Sequence, residues 1–122
     1  MRYILMTLTV LCSVSEAKAD QLLSTGPLQI NGTEQAVCSL VNIGNSSVAL
    51  SPLGIYVDYS LIPSTLNTCG KTLAAGKTCK TVSAIEIANY FECRISVADK
   101  TNLRGVLEAR QESVTIRHEA LR

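Results

Sequence analysis

The chain has 122 residues, with 11 Lys and Arg residues against 10 Asp and Glu residues and a formal net charge of +1. Proteins that bind nucleic-acid backbones need a surplus of basic residues grouped on one face. The only local basic cluster here is Lys71, Lys77 and Lys80, which is typical of a solvated loop, so we expect no nucleic-acid partner.

The N-terminal segment has the three parts of a secretory signal peptide. Met1 and Arg2 supply a charged start, residues 4–14 are apolar, and residues 17–19 read Ala-Lys-Ala, a pattern that signal peptidases cut. The apolar part is about half the roughly 20 residues that a membrane-spanning helix needs. The sequence therefore predicts export and no transmembrane segment.

Cleavage between Ala19 and Asp20 divides the chain into a signal peptide, residues 1–19, and a mature part, residues 20–122. The mature part has the usual size of one domain. We expect a monomer that is periplasmic or secreted.

Export would place the cysteines in an oxidising compartment. Cys12 lies in the signal peptide, and an even set remains: Cys38, Cys69, Cys79 and Cys93. Disulfides persist in oxidising compartments, and four cysteines permit three pairings. Their spacings contain no Cys-x-x-Cys, which argues against zinc and against redox catalysis, and His118 is distant from all four. We therefore expect disulfides, with neither a metal nor a cofactor.

Short segments with apolar alternation or β-branched residues recur along the mature chain and predict strands: 28–30, 33–35, 36–43, 48–50, 55–59, 91–97, 103–109 and 114–116. The segment 91–97 is the clearest, and its alternation points Cys93 toward a core. Asn31-Gly32 predicts a tight hairpin between the first two segments. Turn residues also follow at 44–47 and 99–102.

Strands at such close spacing favour an all-β fold, an antiparallel sandwich in which each sheet covers the apolar face of the other. Two segments leave alternatives open. Residues 105–121 are rich in Glu, Arg, Ala and Leu and could form a helix on propensity alone. A short helical turn is also compatible with residues 84–88.

Four motifs then carry a resemblance: Cys38 to Gly44 with Val-Asn-Ile-Gly at its end, Cys69 to Cys79 with Leu73-Ala-Ala-Gly76, Tyr90 to Val97 around Cys93-Arg94, and Arg104-Gly105. They resemble a group of small secreted bacterial proteins similar to the immunoglobulin-like modules of bacterial surface proteins. The chain departs from the pattern at Ala75, where the group has proline, and by Phe91-Glu92 before the cysteine. The resemblance supplies no catalytic residues.

The immunoglobulin-like order implies that Cys38 and Cys93 join the two sheets, which leaves Cys69 and Cys79 to close a loop. Chain-entropy estimates give about 4 kcal/mol for the first bridge and about 3 kcal/mol for the second. The chain has no Trp and one Phe, so its core is aliphatic and the bridges matter more. The tryptophan that packs on the inter-sheet bridge of antibody domains is missing.

Candidate catalytic groups are few. His118 has no nucleophile fixed beside it by any motif and is predicted to be a solvated residue. Four carboxylates are candidates for the acid–base pair of glycoside hydrolysis, a reaction that needs a deep cleft: Glu86, Glu92, Glu108 and Glu112. The charges of Glu92, Arg94, Arg104 and Glu108 are predicted to face water in cross-strand pairs. Tyr56 and Tyr59 are predicted on opposite faces of one strand, with one of them available for contacts.

Three functional hypotheses follow. The first is an exported, non-catalytic module that contacts a protein or a cell surface. The second is an enzyme inhibitor that uses the loop 69–79, with Lys71 and Lys77 as its contact residues. The third, a small hydrolase, requires a convergent pocket that the sequence does not display. We favour the first and predict no enzymatic activity.

Overall fold

The structure is a computed structural model, and it describes residues 21–84, 88–112 and 114–122. These residues form twelve strands: β1 (Gln21–Ser24), β2 (Leu28–Ile30), β3 (Gln35–Asn42), β4 (Val48–Ala49), β5 (Gly54–Val57), β6 (Ser60–Leu61), β7 (Leu66–Asn67), β8 (Thr72–Leu73), β9 (Thr78–Ala84), β10 (Asn89–Val97), β11 (Leu103–Gln111) and β12 (Val114–Ala120). All pairings are antiparallel, and the predicted all-β sandwich is confirmed.

Two sequence predictions fall where no structure is described. The signal peptide, residues 1–19, and its cleavage site lie outside the described residues, as do residues 85–87 of the predicted helical turn. The described residues contain no helix of a length and hydropathy that would cross a membrane.

The first sheet is built around β10. It pairs with β1 and β2 on one side and with β5 on the other, and β6 extends the sheet beyond β5. Along β10 buried and partly exposed residues alternate, as the sequence predicts for a strand with one face on a core. Phe91, Cys93 and Ile95 point inward.

The second sheet has the order β12-β11-β3-β9-β7, and β4 with β8 forms a small separate ladder. Most of the segment 105–121, for which a helix was the alternative, lies in β11 and β12, and its described residues form no helix. Leu103, Leu107 and Ala109 are buried at alternate positions of β11 and cover the core, so the gain from burying one face of a strand overrides helix propensity.

The predicted hairpin around Asn31-Gly32 is wrong in one respect. A turn is present, since the N–H of Glu34 donates to the carbonyl of Asn31 at 2.9 Å. However, β2 pairs with β10, whereas β3 pairs with β9 and β11. The turn therefore carries the chain from one sheet to the other. The local sequence encodes the chain reversal. The pairing partner of each strand depends on how the whole set of strands is arranged in the two sheets.

The two sheets are also joined along one side. The backbone of Arg122 exchanges two hydrogen bonds of 3.1 Å with Ser24, just beyond the end of β12. Earlier on β12, the guanidinium of Arg117 donates to both carboxylate oxygens of the buried Glu34, at 2.6 and 2.7 Å. This second contact ties the inter-sheet turn to the edge strand.

Candidate functional site

The interior disulfide joins Cys38 of β3 to Cys93 of β10, with a Cα–Cα distance of 6.1 Å. Both residues are fully buried. The bridge thus links the central strands of the two sheets through the core, as the resemblance implies. It also fixes the segment of β10 whose outward residues, on either side of Cys93, are Glu92 and Arg94.

The second disulfide, Cys69–Cys79, closes the loop that was the predicted contact site. Lys71 and Lys77 are both exposed on it. Their backbones, in contrast, are bound to the domain: the Lys71 carbonyl accepts from the N–H of Leu50 at 2.8 Å, and the Lys77 carbonyl accepts from the N–H of Asn42 at 3.0 Å. Between them, Leu73 is buried in the core. The loop lies against the sandwich and does not project from it.

Asn42 holds this loop in place from the end of β3. Its amide nitrogen donates to the carbonyls of Ser46 and Leu73 at 2.8 and 2.9 Å, and its side-chain oxygen accepts from the N–H of Gly44 at 2.9 Å. The residue is 0% exposed. We name this arrangement, Asn42 with the loop 69–79, the clasped loop. It gives the Val-Asn-x-Gly motif a structural role.

A different set of residues converges on the outer face of the first sheet. The five residues are Tyr56, Tyr59, Tyr90, Glu92 and Arg94, and we call this set the tyrosine face. Tyr90, Glu92 and Arg94 occupy the outward positions of β10, and Tyr56 lies directly opposite Glu92 on β5. No other tyrosine exists among residues 20–122.

Tyr59 reaches this face through a two-residue turn. The prediction of one strand over 55–59 is wrong, because β5 ends at Val57 and pairs with β6 across Asp58 and Tyr59. Both turn residues have positive φ, 48° and 65°, as in the type I′ turns that favour Asn-Gly. The turn returns Tyr59 to the same face as Tyr56, so the prediction that the two rings lie on opposite faces is wrong. Tyr59 is 85% exposed.

Arg94 connects the aromatic rings. Its guanidinium carbon lies 5.3 Å from the centre of the Tyr56 ring and 5.2 Å from that of Tyr59, which is within cation–π range. The same group donates from Nε and Nη2 to Oε2 of Glu92, at 3.1 and 2.7 Å. Arg94 is therefore held at its edge by a carboxylate and lies within cation–π range of two rings.

The charged pairs of the sheets differ from the prediction in one detail. Glu92 and Arg94 do face outward, but they pair along one strand instead of across strands, and Glu108 with Arg110 on β11 does the same. Residues two apart on a strand share a face, so this contact is available without a neighbouring strand. Arg104 donates to backbone carbonyls, including that of Thr101 at 2.9 Å.

Two hollows flank the centre of the tyrosine face. The first is a cleft of about 400 Å³ lined by Pro27, Tyr56, Asp58, Tyr59, Tyr90 and Glu92. The second, of about 250 Å³, follows further along β10, where Leu22, Ser51, Pro52, Arg94 and Ser96 contribute together with Tyr56. Tyr56 is common to both. Gly54 permits this packing, because a Cβ there would lie 2.9 Å from the Tyr56 ring.

The catalytic candidates are not brought together. Glu92 and Glu108 lie on the outer faces of different sheets. His118 stands opposite Glu108 on β12, but that carboxylate already accepts from Arg110 and from the hydroxyl of Thr115. Glu112 occupies the exposed turn between β11 and β12, and Glu86 lies outside the described residues. Within the described ranges, no cluster of three or more metal-ligating side chains occurs.

No family model matches the chain, and neither a curated protein nor a solved structure matches it.

Sequence reasoning missed most of the tyrosine face. A signal was present, since Tyr90, Glu92 and Arg94 occupy the alternate positions of a strand whose other residues were assigned to the core. The sequence predicts that one of Tyr56 and Tyr59 is available for contacts. Their convergence depends on a turn with positive φ at two non-glycine residues, which the sequence does not predict. Asp58-Tyr59 lacks the glycine that usually marks such a turn.

Proposed function

We propose that the chain is an exported, non-catalytic binding module and that the tyrosine face contacts its protein or surface partner. The observation that carries this proposal is that Arg94 lies within cation–π range of both Tyr56 and Tyr59 on the solvent side of a sheet. Three further features of the molecule support it.

The first is residue type. Tyrosine and arginine are enriched among the residues that dominate binding energy at protein interfaces. In this chain the remaining aromatic residue of the described part, Phe91, is buried in the core. The exposed aromatic side chains are concentrated on one face, where Tyr59 and Tyr90 are 85% and 58% exposed.

The second feature is rigidity. Glu92 fixes the guanidinium of Arg94, and the guanidinium orders the two rings beside it. The strand below is anchored by the disulfide at Cys93. Side chains that are ordered before binding lose less conformational entropy when a partner docks.

The third feature is backbone strain. A bulky residue at positive φ costs of the order of 1–3 kcal/mol, and such residues cluster at binding sites. Tyr59 has this conformation at the tip of a hairpin, where it makes no contribution to the core. A function for the exposed ring accounts for a residue that stability alone would replace.

Export is supported by the four oxidised cysteines, since disulfides persist outside the cytosol. The charged start and the apolar segment of residues 1–14 point the same way. The inhibitor hypothesis has weaker support, because the clasped loop has buried Leu73 and because the carbonyl groups of Lys71, Leu73 and Lys77 are hydrogen-bonded to the domain.

The test measures sedimentation of the oxidised, mature protein with envelope fractions of the producing cells. We expect Tyr59→Gly combined with Tyr90→Ser to weaken binding by about tenfold or more, which corresponds to the loss of about 1.4 kcal/mol. The control is Lys71→Ala with Lys77→Ala on the clasped loop, which should bind like the parent. Equal binding by the tyrosine variant and the parent would refute the proposed role of this face.

A further inference from the structure

We propose that the ligand of the tyrosine face is an uncharged oligosaccharide segment of a surface or extracellular polysaccharide. This inference rests on the proposed binding function and gives it a chemical class. It follows from the shape of the face, from the state of its backbone and from the charge of its side chains.

The shape is that of a groove. The two hollows follow one another along β10, from Tyr90 to Ser96. At a rise of about 3.3 Å per residue this segment spans roughly 20 Å, which gives room for several sugar rings in a row. An elongated groove of modest depth suits a chain molecule better than it suits a compact metabolite, which needs a site that encloses most of its surface.

The backbone below the groove is not available to a ligand. β10 is hydrogen-bonded to β1 and β2 on one side and to β5 on the other. A peptide that binds by strand addition needs the unpaired N–H and C=O groups of a sheet edge. The groove lies over a central strand, so it presents side chains only.

The charge of the face disfavours an anionic ligand. Arg94 is the guanidinium in the groove, and two of its N–H groups already donate to Glu92 while rings pack beside it. The fork formed by its Nε and Nη2 is therefore already occupied by a carboxylate, and the charge of Glu92 offsets that of Arg94. The other charged groups that line the first cleft, Asp58 and Glu92, are acceptors that would repel an anion.

The carboxylates and the exposed tyrosine rings of the face match the chemistry of a sugar chain. Carboxylate oxygens of Asp58 and Glu92 can accept hydrogen bonds from hydroxyl groups, and both hydrogen bonds of Glu92 to Arg94 use Oε2, which leaves Oε1 for a ligand. The C–H faces of a pyranose are apolar and slightly positive, and they complement the negative face of a tyrosine ring. Tyr59 and Tyr90 present such rings to solvent.

A basic peptide is the main competitor, because cations also bind tyrosine rings and carboxylates. Here Arg94 of the chain itself already makes the cation–π contacts with Tyr56 and Tyr59. The observations therefore favour the uncharged ligand, and a basic probe belongs in the test.

The test is affinity electrophoresis of the oxidised, mature protein in native gels. The gels contain soluble neutral polysaccharides (hydroxyethylcellulose, glucomannan, arabinoxylan or dextran), an anionic polysaccharide (polygalacturonate) or oligolysine. We expect at least one neutral polysaccharide to retard the protein and neither charged polymer to do so more strongly. Tyr59→Gly should weaken this retardation about tenfold or more, whereas Lys71→Ala with Lys77→Ala should leave it unchanged.

Tyr59→Gly is a suitable variant because glycine tolerates positive φ, and its denaturation midpoint, measured beside that of the parent, distinguishes loss of binding from unfolding. Absence of retardation by all four neutral polysaccharides, or retardation that Tyr59→Gly does not change, would overturn the sugar proposal. If the envelope binding described above still depends on Tyr59 and Tyr90, the binding face stands and only its ligand class is wrong. If neither assay depends on them, both proposals fail.

Discussion

The clasped loop and the turn at Asp58-Tyr59 are both surface connections, but they differ in the residue types that adopt positive φ. In the clasped loop, the one residue with positive φ is Gly76, which adopts that conformation without steric cost. In the turn, two residues with side chains have positive φ and one of them is a tyrosine. The loop agrees with local rules, whereas the turn violates them. Such violations concentrate where a side chain is needed for function.

The two regions also use their disulfides differently. Cys38–Cys93 joins the two sheets under the tyrosine face, and Cys69–Cys79 closes the clasped loop on itself. The first bridge therefore holds the platform on which the proposed site lies. The second holds a region that hydrogen bonds also secure. Variants that remove one feature at a time separate these contributions.

The largest effect is expected from Cys38→Ala with Cys93→Ala. Loss of the bridge restores the entropy of a long loop to the unfolded chain, and the free energy of unfolding should fall by about 4 kcal/mol. Urea denaturation monitored by far-ultraviolet circular dichroism measures the change. A loss below about 1 kcal/mol would show that the sheets do not need this link.

Cys69→Ala with Cys79→Ala should cost less, about 3 kcal/mol, because the loop that it closes is shorter. Envelope binding of the same variant shows whether the clasped loop takes part in binding. Since the tyrosine face lies on the other sheet, binding at a temperature where the variant is folded should equal that of the parent. If this variant folds but no longer binds, the binding site lies on the clasped loop and not on the tyrosine face.

Asn42→Ala tests the hydrogen bonds of the clasped loop. The change leaves the buried carbonyl of Leu73 without its 2.9 Å partner, which should cost about 2 kcal/mol. Thermal unfolding in a calorimeter, with the exposed Asn45→Ala as a matched control, checks this value. An Asn42→Ala protein as stable as the control would mean that the disulfide alone holds the loop.

Gly76→Ala should destabilise the protein by about 1 kcal/mol. No atom lies within 4 Å of the position that a Cβ would take, so the cost is that of the backbone conformation at a φ of 71°. Chemical denaturation measures it, and Gly70→Ala, in an equally open position without a positive φ, is the matched control. An unchanged midpoint for Gly76→Ala would indicate that the loop adapts to a side chain.

The sequence predicted the parts of this fold that depend on local pattern. The strand around Cys93 and the sandwich follow from alternation that one buried face requires, and the structure confirms them. The pairing of β2 with β10 did not follow, because Asn31-Gly32 encodes a reversal and not the identity of the neighbouring strands. Long-range pairing is a property of the whole set of strands, which the local pattern does not contain.

The site was less accessible than the fold for a related reason. Tyr56, Glu92 and Arg94 meet because β5 and β10 are neighbours in a particular register, with Tyr56 opposite Glu92. A shift of that register by one residue would place the side chains on opposite faces of the sheet. Tyr59 joins them through backbone conformations that the residue types disfavour, so propensity argues against the geometry that is present.

The smallest expected change in stability is the most informative, and it has the opposite sign. Tyr59→Gly relieves the conformational cost of a tyrosine at a φ of 65° but removes its contact with Arg94. The first term is about 1–2 kcal/mol and the second about 0.5–1 kcal/mol, so the variant should be as stable as the parent or more stable by up to about 1.5 kcal/mol. Denaturation midpoints of Tyr59→Gly and of Tyr59→Ala, which keeps the strain but loses the ring, separate the two terms. Because the first variant should gain stability while it loses binding, a result in which Tyr59→Gly loses both would mean that the ring serves the fold, and the contrast between loop and turn would no longer indicate a site.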